Sequence, residues 1–256
     1  MRILVTNDDG IQAKGLLKLC ETLNQIAEVV VIAPSCQQSA TGHGITVGTP
    51  IYLRRVNLPV KVEDAWSVDG FPADCTKLGV EQIYCDKEID LVVSGINHGP
   101  NTGTDALYSG TVAAALEGFF YDIPAIAVSV IDEGEYVNFK YAAEFTKELV
   151  IWWFEKKFQP LTMLNVNIPN LPKEQIKGVD FSFMGIRKYI NAFRKGESIG
   201  DDICYIMGGQ PVDDDHDPES DVAKSLAGYI TITPLGDNLT NYHVLRQLKN
   251  LDKPNL

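Results

Sequence analysis

The chain has 256 residues, 45% of them apolar and 22% charged, the proportions of a globular protein with room for one large α/β domain. Its 34 acidic against 22 basic side chains give a formal charge of −12, which disfavours broad electrostatic binding of DNA or RNA. A small phosphorylated ligand remains admissible, because a bound cation reverses the sign locally. The five cysteines (Cys20, Cys36, Cys75, Cys85 and Cys204) are scattered and form no C-x-x-C pair. That pattern fits reduced thiols in cytoplasm better than a disulfide framework or a zinc site.

Residues 2–6 read as a buried parallel strand that stops at a polar loop, and only about four apolar-leaning residues precede Asn7. That is too short for a signal-peptide core or a membrane span, so a cytoplasmic protein is expected. Leu16, Leu17, Leu19, Leu23 and Ile26 then recur at helical spacing. Residues 28–33 form the next strand, closed by Pro34. A strand, a helix and a strand in that order predict a parallel sheet covered by helices.

Residues 44–68 break the pattern: 45–47, 51–53 and 60–62 are short β-prone runs separated by Gly, Pro and Asn, expected as an inserted hairpin or short strands. Pro72 suits a helix start, with the helix continuing to about Tyr84. A buried strand follows at 90–94, then a Gly/Asn-rich loop over 95–107. An Ala-rich helix over 109–121, a strand at 125–130, a long helix over 138–158 and a strand at 163–168 complete the alternation. Beyond about Pro172 the rhythm fails. Short β-prone pieces at 179–184 and 203–207 are separated by polar stretches and the acidic run 213–217, then a strand at 229–233 and a final helix over 241–251 follow. The expectation is one domain spanning residues 1–256: a Rossmann-like α/β fold, its parallel sheet carrying helices on both faces, with an irregular β-rich extension over about 172–235.

In an open parallel sheet, ligands bind beyond the carboxyl ends of the strands. Asp8 and Asp9 follow the first strand, Ser39 lies in the loop after the second, and Asn97 follows the strand at 90–94. Two carboxylates, a hydroxyl and an amide carbonyl make an all-oxygen set suited to Mg²⁺ or Mn²⁺. The same acidic pair also suits a helix cap and turn, and position alone leaves both readings open. Ser109-Gly110-Thr111 stands at a helix start, where free N–H groups and the helix dipole favour an anion. An ordinary serine cap is the plainer reading of Ser109. The preceding Gly/Asn loop, which includes Asn101, favours phosphate. No G-x-x-x-x-G-K-[ST] motif supports an ATP-type loop. His43 and His98 lie in nearby loops, where they could orient a substrate, although such histidines are more often surface hydrogen-bonders. The run 213–217 lacks the glycine and terminal glutamate of an EF-hand and reads as a solvated loop.

Thr6-Asn7-Asp8-Asp9-Gly10, Gln38-Ser39-Ala40-Thr41-Gly42-His43, Pro72-Ala73-Asp74-Cys75 and the block from 94 to 118 together closely resemble the SurE family of survival-protein phosphatases, the 5′/3′-nucleotidases. Leu164-Asn165-Val166-Asn167-Ile168-Pro169 and Gly228-Tyr229-Ile230-Thr231-Ile232-Thr233-Pro234-Leu235 extend the resemblance over nearly the whole chain. It implies one divalent cation per subunit, held by Asp8, Asp9, Ser39 and Asn97. It also implies hydrolysis of nucleoside 5′- and 3′-monophosphates, in some members with polyphosphate cleavage. Homodimers or homotetramers that exchange the C-terminal β extension are implied as well. One departure stands out: Cys36-Gln37-Gln38 occupies a stretch that is basic in many members.

The expected chemistry is attack of a cation-activated water on phosphorus, with Asp8, Asp9 and Asn97 as the catalytic set. Asn101 and the Ser109-Gly110-Thr111 amides would bind the phosphate oxygens. Two other classes compete. A signalling receiver domain also carries an acidic pair after its first strand, but it needs an acceptor aspartate where this chain has Ser94. A haloacid-dehalogenase-type phosphatase needs a D-x-D nucleophile, which is absent.

Overall fold

The computed structural model describes residues 1–132, 137–157, 161–212 and 217–251. Phe158, the expected end of the long helix, and residues 213–216 of the acidic run lie outside them. The chain opens with β1 (Arg2–Thr6), α1 (Lys14–Leu23), β2 (Glu28–Pro34), β3 (Leu53–Arg55), β4 (Asp64–Val68) and α2 (Pro72–Leu78). It continues through β5 (Leu91–His98), α3 (Gly110–Phe120), β6 (Ala125–Ile131), α4 (Phe139–Lys156) and β7 (Met163–Pro169). The last part holds β8 (Val179–Phe181), β9 (Lys188–Ile190), β10 (Phe193–Lys195), β11 (Tyr205–Met207) and β12 (Gln210–Val212). Helix α5 (Asp221–Leu226), β13 (Ile230–Leu235) and α6 (Tyr242–Leu248) end it.

Nine strands form one sheet in the order β3-β4-β2-β1-β5-β6-β7-β13-β8. The run from β4 to β7 is parallel; β3 and β13 are antiparallel to their inner neighbours, and β8 runs parallel to β13. The inner strands are near-continuous apolar runs because both faces are covered. Alternation along β1 shows it directly. Ile3 and Val5 pack with Leu16, Leu19 and Leu23 of α1 and Leu149 and Val150 of α4. Leu4 faces the other way, among Cys75 of α2 and Val112 and Ala115 of α3. The chain leaves β1 toward β2 and β4, then crosses back to β5 on β1's other side, so the sheet's switch point falls between β1 and β5.

Three segments differ from expectation. Residues 45–47 and 60–62 form no strand. The local pairing falls instead on β3 and on β4, which extends the main sheet beside β2. The sequence Asp-Ala-Trp-Ser-Val hid this strand, because it is no continuous apolar run: the polar Ser67 is buried while Asp64 and Trp66 are half-buried. The segment 95–98, expected as loop, continues β5: Asn97 and His98 pair with Ser129 and Val130 after a register shift, and Ile96 is fully buried. The third difference is α5, six residues too short to announce itself.

After β8 the chain builds two two-stranded ribbons, β9 with β12 and β10 with β11. It returns through α5, whose buried Asp221 carboxylate accepts the N–H groups of Gly103 (2.9 Å) and Gly185 (2.8 Å). Thr104 and Asp105 bond to Arg187 from the same loop, so the root of the extension is fastened to the segment that leads into α3.

Candidate functional site

The turn after β1 is locked by Asn7, whose side-chain amide donates to the Gly10 carbonyl (3.0 Å) and accepts the Gly10 N–H (3.2 Å). Gly10 takes φ 99°, and a Cβ there would stand 3.3 Å from the Cys36 carbonyl carbon, so the turn requires glycine. This turn sends Asp8 inward and Asp9 outward. Asp8, 5% exposed, accepts the Thr111 hydroxyl at 2.6 Å. A Cβ at Gly110 would come 2.8 Å from the Asp8 Cβ, so the start of α3 packs directly on this carboxylate. Asp9 accepts the Gln37 amide and the His98 N–H, both at 3.3 Å. Gln37 also donates to the Ser39 hydroxyl at 2.9 Å, which couples the second acid to the serine loop. Asn97 commits its amide nitrogen to the Gly99 carbonyl at 2.9 Å.

Burial, foremost, pushes the Asp8 carboxyl up to about 6; the neighbouring Asp9 charge adds to it and the Thr111 hydroxyl opposes it. Burial raises Asp9 as well, against the His98 N–H and ring and the Gln37 amide. Among the described residues neither acid forms an ion pair. Two adjacent desolvated carboxylates carry uncompensated negative charge, the condition that a bound cation relieves. No three His, Cys, Asp or Glu side chains converge on a metal-sized site among the described residues, so a cation here has to use neutral oxygens too. The Ser39 hydroxyl and the Asn97 amide oxygen are such groups, and the set suits a hard cation.

Ser39 stands between two fixed points: the Gln38 N–H donates to the Asp8 carbonyl (2.7 Å) and the Gly42 N–H to the Tyr108 carbonyl (2.9 Å). Between them Ala40 takes φ 56°, a left-handed conformation that costs an L-residue about 1–2 kcal/mol. At α3, Ser109 is the N-cap, its hydroxyl accepting the Val112 N–H at 3.1 Å. The cap reading and the anion reading coexist, since the first-turn N–H groups of Gly110 and Thr111 have no helical acceptors; the Thr111 N–H turns to the Asp8 carboxylate, as its hydroxyl does.

Asn101 is a partial correction. Its side chain donates to Ser129 (2.8 Å) and its N–H to Asn167 (2.8 Å), while its carbonyl accepts from Asn165 (2.8 Å) and Asn167 (3.2 Å). It is therefore first an anchor of the Gly/Asn loop onto β6 and β7. Asn165 and Asn167 had a legible signal: two polar residues at period-two spacing in a buried apolar strand. Gln37 had none. His43 bonds to Glu117 on α3 instead of facing the acid pair, and His98 is exposed at the site's rim. Ser94, where a receiver domain needs its acceptor, is fully buried inside β5. Beside Asp9 a cleft of about 230 Å³ is lined by Lys14, Gly15, Gln37, His98 and Phe139.

An open, mostly parallel sheet with an acidic, oxygen-rich pocket at its switch point and a helix N-terminus against that pocket defines a Rossmann-like α/β protein with its site at the strand carboxyl ends. Residues 3–191, which include every site residue above, match the family described as Survival protein SurE. The chain is 45% identical over 255 residues to 5′-nucleotidase SurE of Carboxydothermus hydrogenoformans, covering 97% of this chain and 95% of that protein. It is 44% identical over 254 residues to 5′-nucleotidase SurE of Pelotomaculum thermopropionicum, covering 99% and 96%. The crystal structure of the SurE protein from Aquifex aeolicus superposes with a TM-score of 0.84 at 37% identity, over 97% of this chain and 98% of that one. The chain belongs to the SurE family.

Proposed function

We propose that this protein is a 5′-nucleotidase: a phosphomonoesterase that hydrolyses nucleoside 5′-monophosphates to nucleoside and phosphate with one divalent cation, Mg²⁺ or Mn²⁺, per subunit. The same chemistry extends to 3′-monophosphates and short polyphosphate. One observation carries the reading: at the switch point a buried Asp8 and a half-buried Asp9 stand side by side without an ion-pair partner among the described residues, and Asp8 packs on the N-terminus of α3. The names of the relatives support the substrate class.

Asp8, Asp9, Ser39 and Asn97 would hold the cation. When bound, it supplies Lewis-acid polarisation of a phosphoryl oxygen and lowers the pKa of a water. The N–H groups at the start of α3, that of Thr111 shared with the Asp8 carboxylate, hydrogen-bond equatorial phosphoryl oxygens as charge develops. Thr111 keeps the Asp8 carboxylate oriented and ionised. Asp9, the more open acid, accepts the proton of the attacking water, and that proton returns through solvent water to the nucleoside oxygen as its P–O bond breaks. The cleft beside Asp9 receives the nucleoside. Asn101 and Ser109 serve the phosphate by fixing the backbone that presents these donors.

The extension over about 172–235 joins subunits into a homodimer or homotetramer. Its ribbons expose Phe193, Ile199, Ile203, Tyr205 and Met207, an apolar content unusual for a free surface. No helix among the described residues is long and apolar enough to cross a membrane, and the five cysteines stand unpaired. A cytoplasmic setting is the one in which such thiols stay reduced.

Hydrolysis of 5′-AMP with Mn²⁺ or Mg²⁺, or with chelator, tests this reading. Chelator should abolish phosphate release, and Asp8→Asn should lower kcat about 10²–10³-fold, as loss of one electrostatic stabiliser does. Full turnover in chelator would refute it.

A further inference from the structure

Residues 35–52, which carry Ser39, form no helix or strand, yet they are tied to the body at several points. Two of the ties are buried carboxylates, one on each helix of this face. Asp74 of α2 accepts the Thr46 N–H at 2.9 Å and the Thr46 hydroxyl at 2.6 Å. Glu117 of α3 accepts from His43, Nε2 to Oε2, at 2.7 Å. The His43 ring is also stacked on Phe120, with centroids 5.5 Å apart and planes 8° from parallel.

Glu117 is the unusual member. It sits two turns inside an Ala-rich helix with its side chain 6% exposed, where an unpaired carboxylate is costly. Lys77 of α2 already answers its charge, Nζ to Oε1 at 2.9 Å. The second oxygen goes to a loop residue four positions beyond Ser39. A structural pair between α2 and α3 would need Lys77 alone; His43 adds nothing to that joint but fixes the loop against α3. The same loop bonds to Tyr108, the residue before the α3 cap, through the Gly42 N–H. One rigid helix thus sets both the phosphate-facing N–H groups at its start and, two turns further in, the loop that presents Ser39.

We propose that the His43–Glu117 contact is a positioning latch that holds the Ser39 loop at the register needed for cation binding. The proposal rests on the reading of Ser39 as a cation ligand. His43 and Glu117 touch neither the cation nor the substrate, and they act only through the loop and α3. Burial pushes the Glu117 carboxyl up, but His43 and Lys77 together outweigh it and hold it below the ordinary glutamate range, which agrees with a carboxylate bonded on both sides.

The test uses the full-length protein in four forms: wild type, His43→Ala, His43→Gln, which restores an N–H donor, and Lys77→Met, which cuts the α2–α3 joint at Glu117 and Tyr121 and leaves His43 in place. Amide hydrogen exchange of the metal-free protein at Gly42 and Thr46 reads the latch without turnover, and calorimetric titration with Mn²⁺ reads its consequence. His43→Ala should speed exchange at these amides and weaken Mn²⁺ binding, each about 10-fold, the lower end of the range for outer partners of a metal site. His43→Gln should recover most of both, while Lys77→Met should lower Tm and leave both near wild type. Unchanged exchange and Mn²⁺ affinity in His43→Ala would overturn the latch, as would equal loosening by Lys77→Met. Faster exchange in His43→Ala, together with a wild type that binds no Mn²⁺, would uphold the latch and overturn the cation reading of Ser39.

Discussion

The parallel half of the sheet and the ribbons of the extension are built from similar residue types with opposite results. Ile3, Ile32, Ile126 and Ile168 are closed between helix layers, at most 1% exposed; Ile199 and Ile203 in the extension are 81% and 67% exposed. A strand in the first region has a partner on each edge and a helix on each face. The ribbons have one partner each and no layer above, a situation in which two strands are only marginally stable in water. Apolar composition is therefore no guide to burial: topology decides it. The site sits in the region where the backbone is fixed on all sides, and the proposed subunit contact sits where it is not.

Matched truncations put this contrast on a scale. Ile126→Ala should cost about 2–5 kcal/mol, because the cavity it leaves cannot refill, and lower Tm by about 5–15 °C in thermal unfolding. Ile203→Ala should stay within about 0.5 kcal/mol at concentrations where the protein is monomeric. Its effect belongs in sedimentation equilibrium, as weaker self-association. Similar losses for the two would mean that the ribbons carry fold stability as the parallel sheet does.

A smaller effect separates the helix layer from the ribbons by pH. Glu117, with its carboxyl held low by His43 and Lys77 against burial, binds a proton less readily folded than unfolded. Its stabilising share is complete above the ordinary glutamate value of 4.5 and disappears as pH falls through the lower folded value. Acid unfolding followed by circular dichroism below about pH 4.5 should therefore be shallower in Glu117→Gln than in the wild type. An unchanged acid slope would mean that Glu117 gains nothing from its two partners.

The strands β1, β2, β5, β6 and β7 were legible because each is an apolar run bounded by Gly, Pro or a polar loop, and burial on both faces writes itself into composition. Asp8 and Asp9 were legible as a pair by their place at a strand end. The continuation of β5 through Asn97 was not: Gly95 and Asn97 carry loop composition, and only pairing with β6 keeps them in the sheet. Long-range side-chain bonds were likewise beyond reach. Thr111 meets Asp8 across 103 positions and Gln37 meets Asp9 across 28, and no local pattern encodes either. Of the ribbons, β11 falls within the β-prone piece at 203–207, whereas β9, β10 and β12 were not legible, since strands that bury little within the subunit leave no clean period-two pattern.

In the proposed function, Asp8, Asp9, Ser39 and Asn97 form one cation site. Anomalous scattering from crystals soaked in Mn²⁺ tests it most directly. One strong peak per subunit is expected at the β1–β5 switch point, about 2.0–2.3 Å from oxygens of these four residues, and it should be lost in Asp8→Asn. A peak elsewhere, or none at a concentration that supports turnover, would contradict it.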